Sequence, residues 1–143
     1  MLFCDLKGST ELSDSLDPEA LRAILGRYFG RIQDIVERHG GTVEKYIGDA
    51  VMAVFGLPQL HEDDALRAVR AAAEMKAALA LLNGELEHEY GVRLANRTGV
   101  NTGEVVTGDV SAGQRLVTGE AVNVAARLEQ AAPELEILIG ERT

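Results

Sequence analysis

Apolar residues recur at intervals of three and four after the segment DPE at residues 17–19, which is the pattern of one helix face. Asp17 can cap the first backbone N–H groups, and proline suits the first turn. We therefore predict a long helix that ends at His39, Gly40 and Gly41. Its apolar positions are Leu21, Ile24, Leu25, Tyr28, Phe29, Ile32, Ile35 and Val36. Gly26 and Gly30 cost about 1 kcal/mol each relative to alanine, so we expect close packing on their face.

Two short apolar runs follow that helix and flank a tight turn, which is typical of a β-hairpin. The runs cover residues 42–47 and 50–55, with Gly48 and Asp49 between them. We predict two antiparallel strands with Asp49 at the tip.

The rest of the chain predicts two more helices and further strands. One helix opens at residues 62–64 and keeps helical spacing until residues 83–84 or 90–91. We expect residues 97–101 and 104–109 to pair with each other around Thr102 and Gly103. After residues 115–118, a helix is predicted at about 120–130 and a strand at 136–139.

The first six elements follow the order βαββαβ, with the first strand in the apolar run MLFCD. This order is the split βαβ arrangement of ferredoxin-like sheets. We predict an α+β fold with that core and an additional strand, helix and strand. Residues 1–143 read as one domain, and both ends look cut, so we expect it to be part of a longer protein.

Charge and composition argue against several classes of function. The chain carries 23 Asp and Glu against 14 Lys and Arg, a formal net charge of -9, and no basic cluster suits nucleic acid. Its apolar runs are far shorter than the ~20 residues that cross a bilayer, and no signal-peptide pattern opens it. Cys4 is the only cysteine, so no internal disulfide can form. We expect a cytoplasmic fragment with no nucleic-acid partner and no membrane span.

Two carboxylates end up close together in the predicted sheet. Asp5 ends the first strand, and Asp49 lies at the hairpin tip, four residues after Lys45. Two acids held that close repel unless a cation lies between them, and a divalent cation on a nucleoside triphosphate requires such a pair. Taken singly, Asp5 favours a role in helix capping, Asp49 a role in the turn, and Lys45 a solvated strand position.

A third group of polar residues lies in the segment VNVAAR at residues 122–127. Asn123 and Arg127 are four residues apart and share one face of the predicted helix. An amide and a guanidinium at that spacing can hold a ribose and a developing phosphate charge. The alternative is a solvated polar edge on an apolar helix.

Four segments in this order resemble the class III adenylate and guanylate cyclase catalytic domain. They are LFCDLKGST, HGGTVEKYIGDAVMAVFG, RTGVNTGEVVTGD and LVTGEAVNVAARLEQAA, and they run along nearly the whole chain. The resemblance implies the cyclase fold and an enzyme that converts ATP to 3′,5′-cyclic AMP and pyrophosphate, with GTP as the less favoured substrate. Diguanylate cyclases share the broad topology, but their GG[DE]EF hairpin is replaced here by YIGDAV.

The resemblance also implies ligands for two Mg²⁺ or Mn²⁺ ions. Asp5 and Asp49 match the two metal-binding aspartates of the family, and the backbone carbonyl of Leu6 matches a further ligand. The turn that wraps the triphosphate in the family matches Gly8, Ser9 and Thr10.

Three other matches imply a dimer. Lys45 matches the lysine that helps to read the purine in adenylate cyclases, Asn123 the asparagine that orients the ribose, and Arg127 the arginine that stabilises charge on the reacting phosphate. In the family, the metal ligands of one protomer face these three residues of the other. The resemblance therefore implies a head-to-tail homodimer with two sites, whereas a monomer would have none.

Leu116 departs from the family pattern. Many adenylate cyclases have Asp or Thr at this position to bond the adenine edge, whereas leucine can only pack on a purine. Base selectivity then rests on Lys45 and backbone groups, and the choice between ATP and GTP stays open. A second hypothesis follows from the same departure, namely a nucleotide-binding or dimerising regulatory module that has lost turnover.

Overall fold

The computed structural model describes residues 1–7, 12, 14–57, 59–109 and 115–143, except for the side chains of residues 106–109 and 115–118. The elements in chain order are β1 (Leu2–Lys7), α1 (Pro18–Arg38), β2 (Gly41–Ile47), β3 (Ala50–Phe55), α2 (Asp64–Tyr90), β4 (Ala95–Val100), β5 (Val106–Asp109), β6 (Arg115–Thr118), α3 (Glu120–Ala131) and β7 (Ile137–Ile139).

Five of these strands form one mixed sheet in the order β2-β3-β1-β4-β7. β1 is antiparallel to both β3 and β4, and β4 is parallel to β7. The first four strands together with α1 and α2 have the ferredoxin-like arrangement. The predicted α+β fold with a split βαβ core is therefore confirmed.

The two faces of the sheet pack against different helices. Leu2 and Cys4 of β1 join a core cluster with buried residues of α1 and α2. Phe3 belongs to a second cluster, which includes Met52 of β3 and Ala125 of α3. Because side chains alternate along a strand, odd-numbered residues of β1 point to the side of α3.

α1 begins where the sequence predicts. The Asp17 carboxylate accepts a hydrogen bond from the Ala20 backbone N–H at 2.8 Å, and the helix stops just before Gly40, whose φ is +83°. The expected close packing at Gly26 and Gly30 is wrong. Both glycines are exposed, and a Cβ at either position would meet no neighbouring atom within 4 Å.

α2 extends to the later of its two predicted ends. Asn83 lies buried inside the helix, where its side chain donates to the Leu94 carbonyl at 2.8 Å and accepts from the Leu94 N–H at 2.6 Å. This residue therefore anchors the segment that returns to β4 and does not end the helix. Gly91 ends it in the left-handed conformation, with φ of +70°.

The predicted pairing of residues 97–101 with 104–109 is wrong. β4 pairs with β1 on one side and with β7 on the other, so neither of its edges is left for β5. β5 instead pairs with β6 in a separate two-stranded sheet. The hairpin of β2 and β3, by contrast, forms as predicted, with Gly48 in its turn at φ of +62°.

The C-terminal elements and Cys4 agree with the sequence. α3 and β7 form within one residue of their predicted limits. Cys4 is a buried free thiol, which agrees with the lack of a second cysteine in the sequence. Among the residues that the structure describes, no helix combines the length and the apolar composition that a bilayer span needs.

Candidate active site

Asp5 and Asp49 lie together where the turn between β2 and β3 meets β1. Asp5 is paired with Ala50 in the ladder of β1 and β3, and the Leu6 N–H donates to the Asp49 carbonyl at 3.4 Å. Burial and, after it, the charge of Asp49 raise the pKa of Asp5 above its ordinary value. The sheet thus brings the two acids together, as the order of elements indicates.

Arg97 adds a positive charge beside these acids. It lies opposite Asp5 in the ladder of β1 and β4, and its Nη2 is 3.8 Å from Asp5 Oδ2. Its Nη1 donates to the Gln130 carbonyl at the end of α3 at 2.8 Å. The side chain is 21% exposed, so much of the guanidinium is shielded from water.

Glu129 is the third acid at this end of the sheet. Its Oε1 lies 2.9 Å from Arg97 Nε, and its side chain is only 7% exposed. Burial and the charge of Asp5 raise the pKa of Glu129. Asp5 and Glu129 therefore neighbour one guanidinium, and Asp49 neighbours Asp5. We call Asp5, Asp49, Arg97 and Glu129 the carboxylate cluster.

Close backbone packing holds Glu129 in this position. A Cβ on Gly99 of β4 would clash with the Glu129 backbone nitrogen and, at 2.5 Å, with the Ala125 carbonyl oxygen of α3. Only glycine allows the helix backbone to lie this close to the strand. Gly99 therefore sets the height of α3 above Arg97 and Asp5.

The sequence analysis did not single out Arg97, Gly99 or Glu129. A signal was present, because the split βαβ order makes β4 a neighbour of β1 and so places Arg97 beside Asp5. Glu129 also lies four residues after Ala125, on the buried face of the predicted helix.

The donor set of the cluster fits a divalent cation. Asp5 and Asp49 supply hard carboxylate oxygens at the tip of the hairpin, and their mutual repulsion favours a cation between them. Within the described part of the chain, no group of three or more His, Cys, Asp or Glu residues is arranged to hold a metal ion. Mg²⁺ suits such a two-carboxylate site, because it keeps water and binds substrate phosphates for its remaining positions.

Asn123 and Arg127 lie on the solvent side of α3. Asn123 is exposed, and the Arg127 side chain is 66% exposed, with an ion pair to Glu120 at 3.1 Å. The opposite side of the helix carries the buried Ala125 and Glu129. The two predicted nucleotide-binding residues of α3 therefore point away from the carboxylate cluster.

Lys45 is exposed on the edge strand β2, just after a bulge that begins at Val43. It is paired with Met52, which packs on the side of α3. Since cross-strand neighbours share a face of the sheet, Lys45 lies on the same face as Asp5. We call Lys45, Asn123 and Arg127 the exposed triad.

The other predicted site residues are described in part or not at all. Leu6 is buried in β1. Leu116 lies in β6, and the structure describes its backbone but not its side chain. The predicted phosphate turn of Gly8, Ser9 and Thr10 lies outside the described residues.

Comparison with known proteins assigns the family. Residues 1–143 match the adenylate and guanylate cyclase catalytic domain. An adenylate cyclase from Anabaena cylindrica is 35% identical over 136 residues, which are 90% of this chain and 26% of that protein. The chain therefore belongs to the adenylate and guanylate cyclase catalytic domain family, as the four segments indicate.

Two solved structures agree with this family and with the fold. The guanylyl cyclase Cya2 matches with a TM-score of 0.91 and 36% identity, over 99% of this chain and 73% of the Cya2 chain. The adenylyl cyclase CyaB from P. aeruginosa matches with a TM-score of 0.91 and 34% identity, over 99% of this chain and 75% of that chain. The chain spans about a quarter of the length of the curated relatives that it matches.

Proposed function

We propose that this protein is an adenylate cyclase, which converts ATP to 3′,5′-cyclic AMP and pyrophosphate in intracellular signalling. The observation that carries the proposal is the pair of Asp5 and Asp49, which meet at the end of β1 and fit a divalent cation. The adenylate cyclase from Anabaena cylindrica and the presence of Lys45 both favour ATP over GTP.

Asp5 and Asp49 would hold two Mg²⁺ or Mn²⁺ ions, with the Leu6 carbonyl as a further ligand. When bound, such ions lower the pKa of the ribose 3′-hydroxyl and neutralise the departing pyrophosphate. The contribution of the chain is to hold the two carboxylates at a fixed position, because Asp5 lies inside the ladder that β1 forms with β3 and β4. Gly8, Ser9 and Thr10 would bind the triphosphate through backbone N–H groups.

The exposed triad would complete the site from a second protomer. Lys45 would contact the purine, Asn123 would orient the ribose, and Arg127 would stabilise the charge that develops on the reacting phosphate. All three side chains are exposed, and those on α3 face away from the carboxylate cluster of their own chain. This arrangement supports a head-to-tail homodimer with two sites.

The direct test is a cyclase assay on the full-length protein with Mg²⁺ or Mn²⁺ and with ATP and GTP in parallel. We expect cyclic AMP as the main product. An excess of cyclic GMP over cyclic AMP would mean that the protein prefers GTP to ATP. The absence of both products would contradict a cyclase. The parallel assay is needed because Cya2 is a guanylyl cyclase and CyaB an adenylyl cyclase, at nearly equal identity to this chain.

The substitution Asp49→Ala tests the metal role. We expect turnover to fall by at least about a hundredfold, because the variant loses a metal ligand and with it the positive charge of a metal ion beside the reacting phosphates. Far-UV circular dichroism should be unchanged, because Asp49 lies in a turn. Activity that survives in a folded variant would show that Asp49 does not bind the metal.

A regulatory nucleotide-binding module is the second candidate, and Leu116 is the observation that favours it. Leucine at this position offers no hydrogen bond to a purine edge. Binding of ATP to the full-length protein, without any cyclic product from either nucleotide, would support this candidate over the enzyme.

A further inference from the structure

Arg97 is held by α3 more closely than by Asp5. Its Nε lies 2.9 Å from Glu129 Oε1, and its Nη1 donates to the Gln130 carbonyl at 2.8 Å, whereas its Nη2 is 3.8 Å from Asp5 Oδ2. The last distance is beyond a hydrogen bond. The guanidinium therefore neighbours Asp5 without forming the bidentate pair that arginine makes with a fully engaged carboxylate.

Glu129 and Arg97 each neutralise the buried charge of the other. Arg97 Nε and Glu129 Oε1 are both buried, and the ion pair between them is their contact, because neither atom has a hydrogen-bond partner among the described residues. Removing one of two buried opposite charges leaves the other uncompensated. An Arg97 side chain that lost Glu129 would therefore turn to the nearest remaining acid, which is Asp5.

The position of Glu129 is built into the fold. The close approach of α3 to Gly99 fixes the Glu129 backbone against β4, one strand away from Asp5. The Glu129 side chain is only 7% exposed, so little water reaches its ion pair with Arg97. This pair is therefore shielded, unlike the exposed ion pair of Arg127 and Glu120 on the same helix.

We propose that Glu129 is a positioning residue, which holds the Arg97 guanidinium away from full engagement with Asp5 and so keeps the Asp5 carboxylate available to a divalent cation. This inference rests on the proposed metal role of Asp5 and Asp49. Arg97 and a cation compete for the same oxygens of Asp5. Because Glu129 holds the guanidinium, it weakens the interaction of Arg97 with Asp5. Loss of Glu129 should therefore weaken binding of the cation.

A double-mutant cycle on the full-length protein tests this role, with Mn²⁺ alone as the probe and water-proton relaxation as the measurement. Glu129→Gln should raise the dissociation constant of Mn²⁺ about five- to tenfold. In an Arg97→Gln background, Glu129→Gln should raise the dissociation constant less than about twofold, because Glu129 can no longer act through Arg97. Glu134→Gln, which removes an exposed acid just beyond α3, is the matched control and should change nothing.

Equal weakening in both backgrounds would overturn the proposal, because Glu129 would then act only through its own charge. No weakening in the native background would overturn it as well. Thermal melts identify any variant that does not fold. In that case Glu129→Asp and Arg97→Lys, which keep the charges but weaken the contact between the two side chains, replace the glutamine variants, and the same comparison decides.

The experiment separates this inference from the proposed function. If native protein binds Mn²⁺, Asp49→Ala does not, and neither nucleotide is cyclised, the proposed function fails while the cycle still decides the role of Glu129. If native protein binds no Mn²⁺, the inference fails, whereas product formation in the cyclase assay still decides the proposed function.

Discussion

The carboxylate cluster lies between the sheet and α3, whereas the exposed triad lies on the edge strand β2 and on the solvent side of α3, and the two groups are built in opposite ways. In the cluster, Glu129 is buried, Asp5 is partly buried, and both lie on regular elements with charged neighbours. In the triad, Lys45 and Asn123 are exposed, and Arg127 has only an exposed ion pair to Glu120 among its described contacts.

This difference indicates where each group obtains its function. Buried charges cost desolvation energy, so a cluster with three acids is retained where a ligand offsets that cost. Exposed polar side chains contribute little to stability, so their placement matters only if another surface meets them. We therefore expect changes in the cluster to affect both stability and activity, and changes in the triad to affect activity alone.

The largest expected effect comes from mixing two inactive variants. Arg127→Ala should lower turnover by at least about a hundredfold, as Asp49→Ala does, because each removes one half of every site in a homodimer. A heterodimer of the two variants has one site with both halves intact. Since half of the randomly formed dimers are heterodimers, an equal mixture should regain about a quarter of native turnover.

Complementation is measured by cyclic AMP production after the two full-length variants are mixed and allowed to exchange subunits. Asp49→Ala mixed with itself at the same total concentration is the control. A mixture that stays inactive, although size-exclusion chromatography shows dimers, would mean that the cluster and the triad do not meet across an interface.

A smaller effect, on stability, is expected at Gly99. Gly99→Ala forces a Cβ into the α3 backbone, so we expect the free energy of unfolding to fall by about 1–3 kcal/mol. Lys45→Ala and Arg127→Ala should change it by less than about 0.5 kcal/mol, because both residues are exposed. Urea unfolding followed by circular dichroism gives each value.

Gly30→Ala is the matched control, because it adds the same methyl group where no atom lies within 4 Å. The exposed helical position should gain about 0.5–1 kcal/mol of stability from the better helix former. If Gly99→Ala and Gly30→Ala shifted stability alike, the close contact of α3 with β4 would not be what fixes the cluster.

Much of the fold could be predicted from local sequence. The Asp17 cap, the period of α1 and the hairpin at Gly48 depend on neighbours in the chain, and the structure has all three. The pairing of β4 with β5 could not be predicted this way, because a strand pairs with whatever edge is free, and β1 and β7 occupy both edges of β4. Gly26 and Gly30 misled for a similar reason, since a glycine alone does not show whether another element approaches it.

The site divides along the same line. Asp5 and Asp49 could be paired from the order of the elements, because a hairpin and the first strand are neighbours in a split βαβ sheet. Glu129 could not be placed beside Asp5 by that argument. Its position depends on how closely α3 approaches β4, which only the packing at Gly99 determines.

The smallest expected effect is a pH dependence that distinguishes the cluster from exposed acids. In the folded protein, burial and the Asp49 charge raise the pKa of Asp5 above its value in the unfolded chain, so between these two values the folded state binds more protons. The stability of native protein relative to Asp5→Asn should therefore rise as the pH falls through the folded pKa of Asp5.

Glu85 is the matched control on the surface. Its hydrogen bond from Arg31 lowers its pKa, so the stability of native protein relative to Glu85→Gln should instead be lost as the pH falls. Urea unfolding in the presence of a chelator, from neutral pH to about pH 4, measures both differences. If the stability of native protein relative to Asp5→Asn also fell with the pH, the folded site would favour the charged form of Asp5. The contrast between the buried carboxylate cluster and exposed surface ion pairs would then not hold.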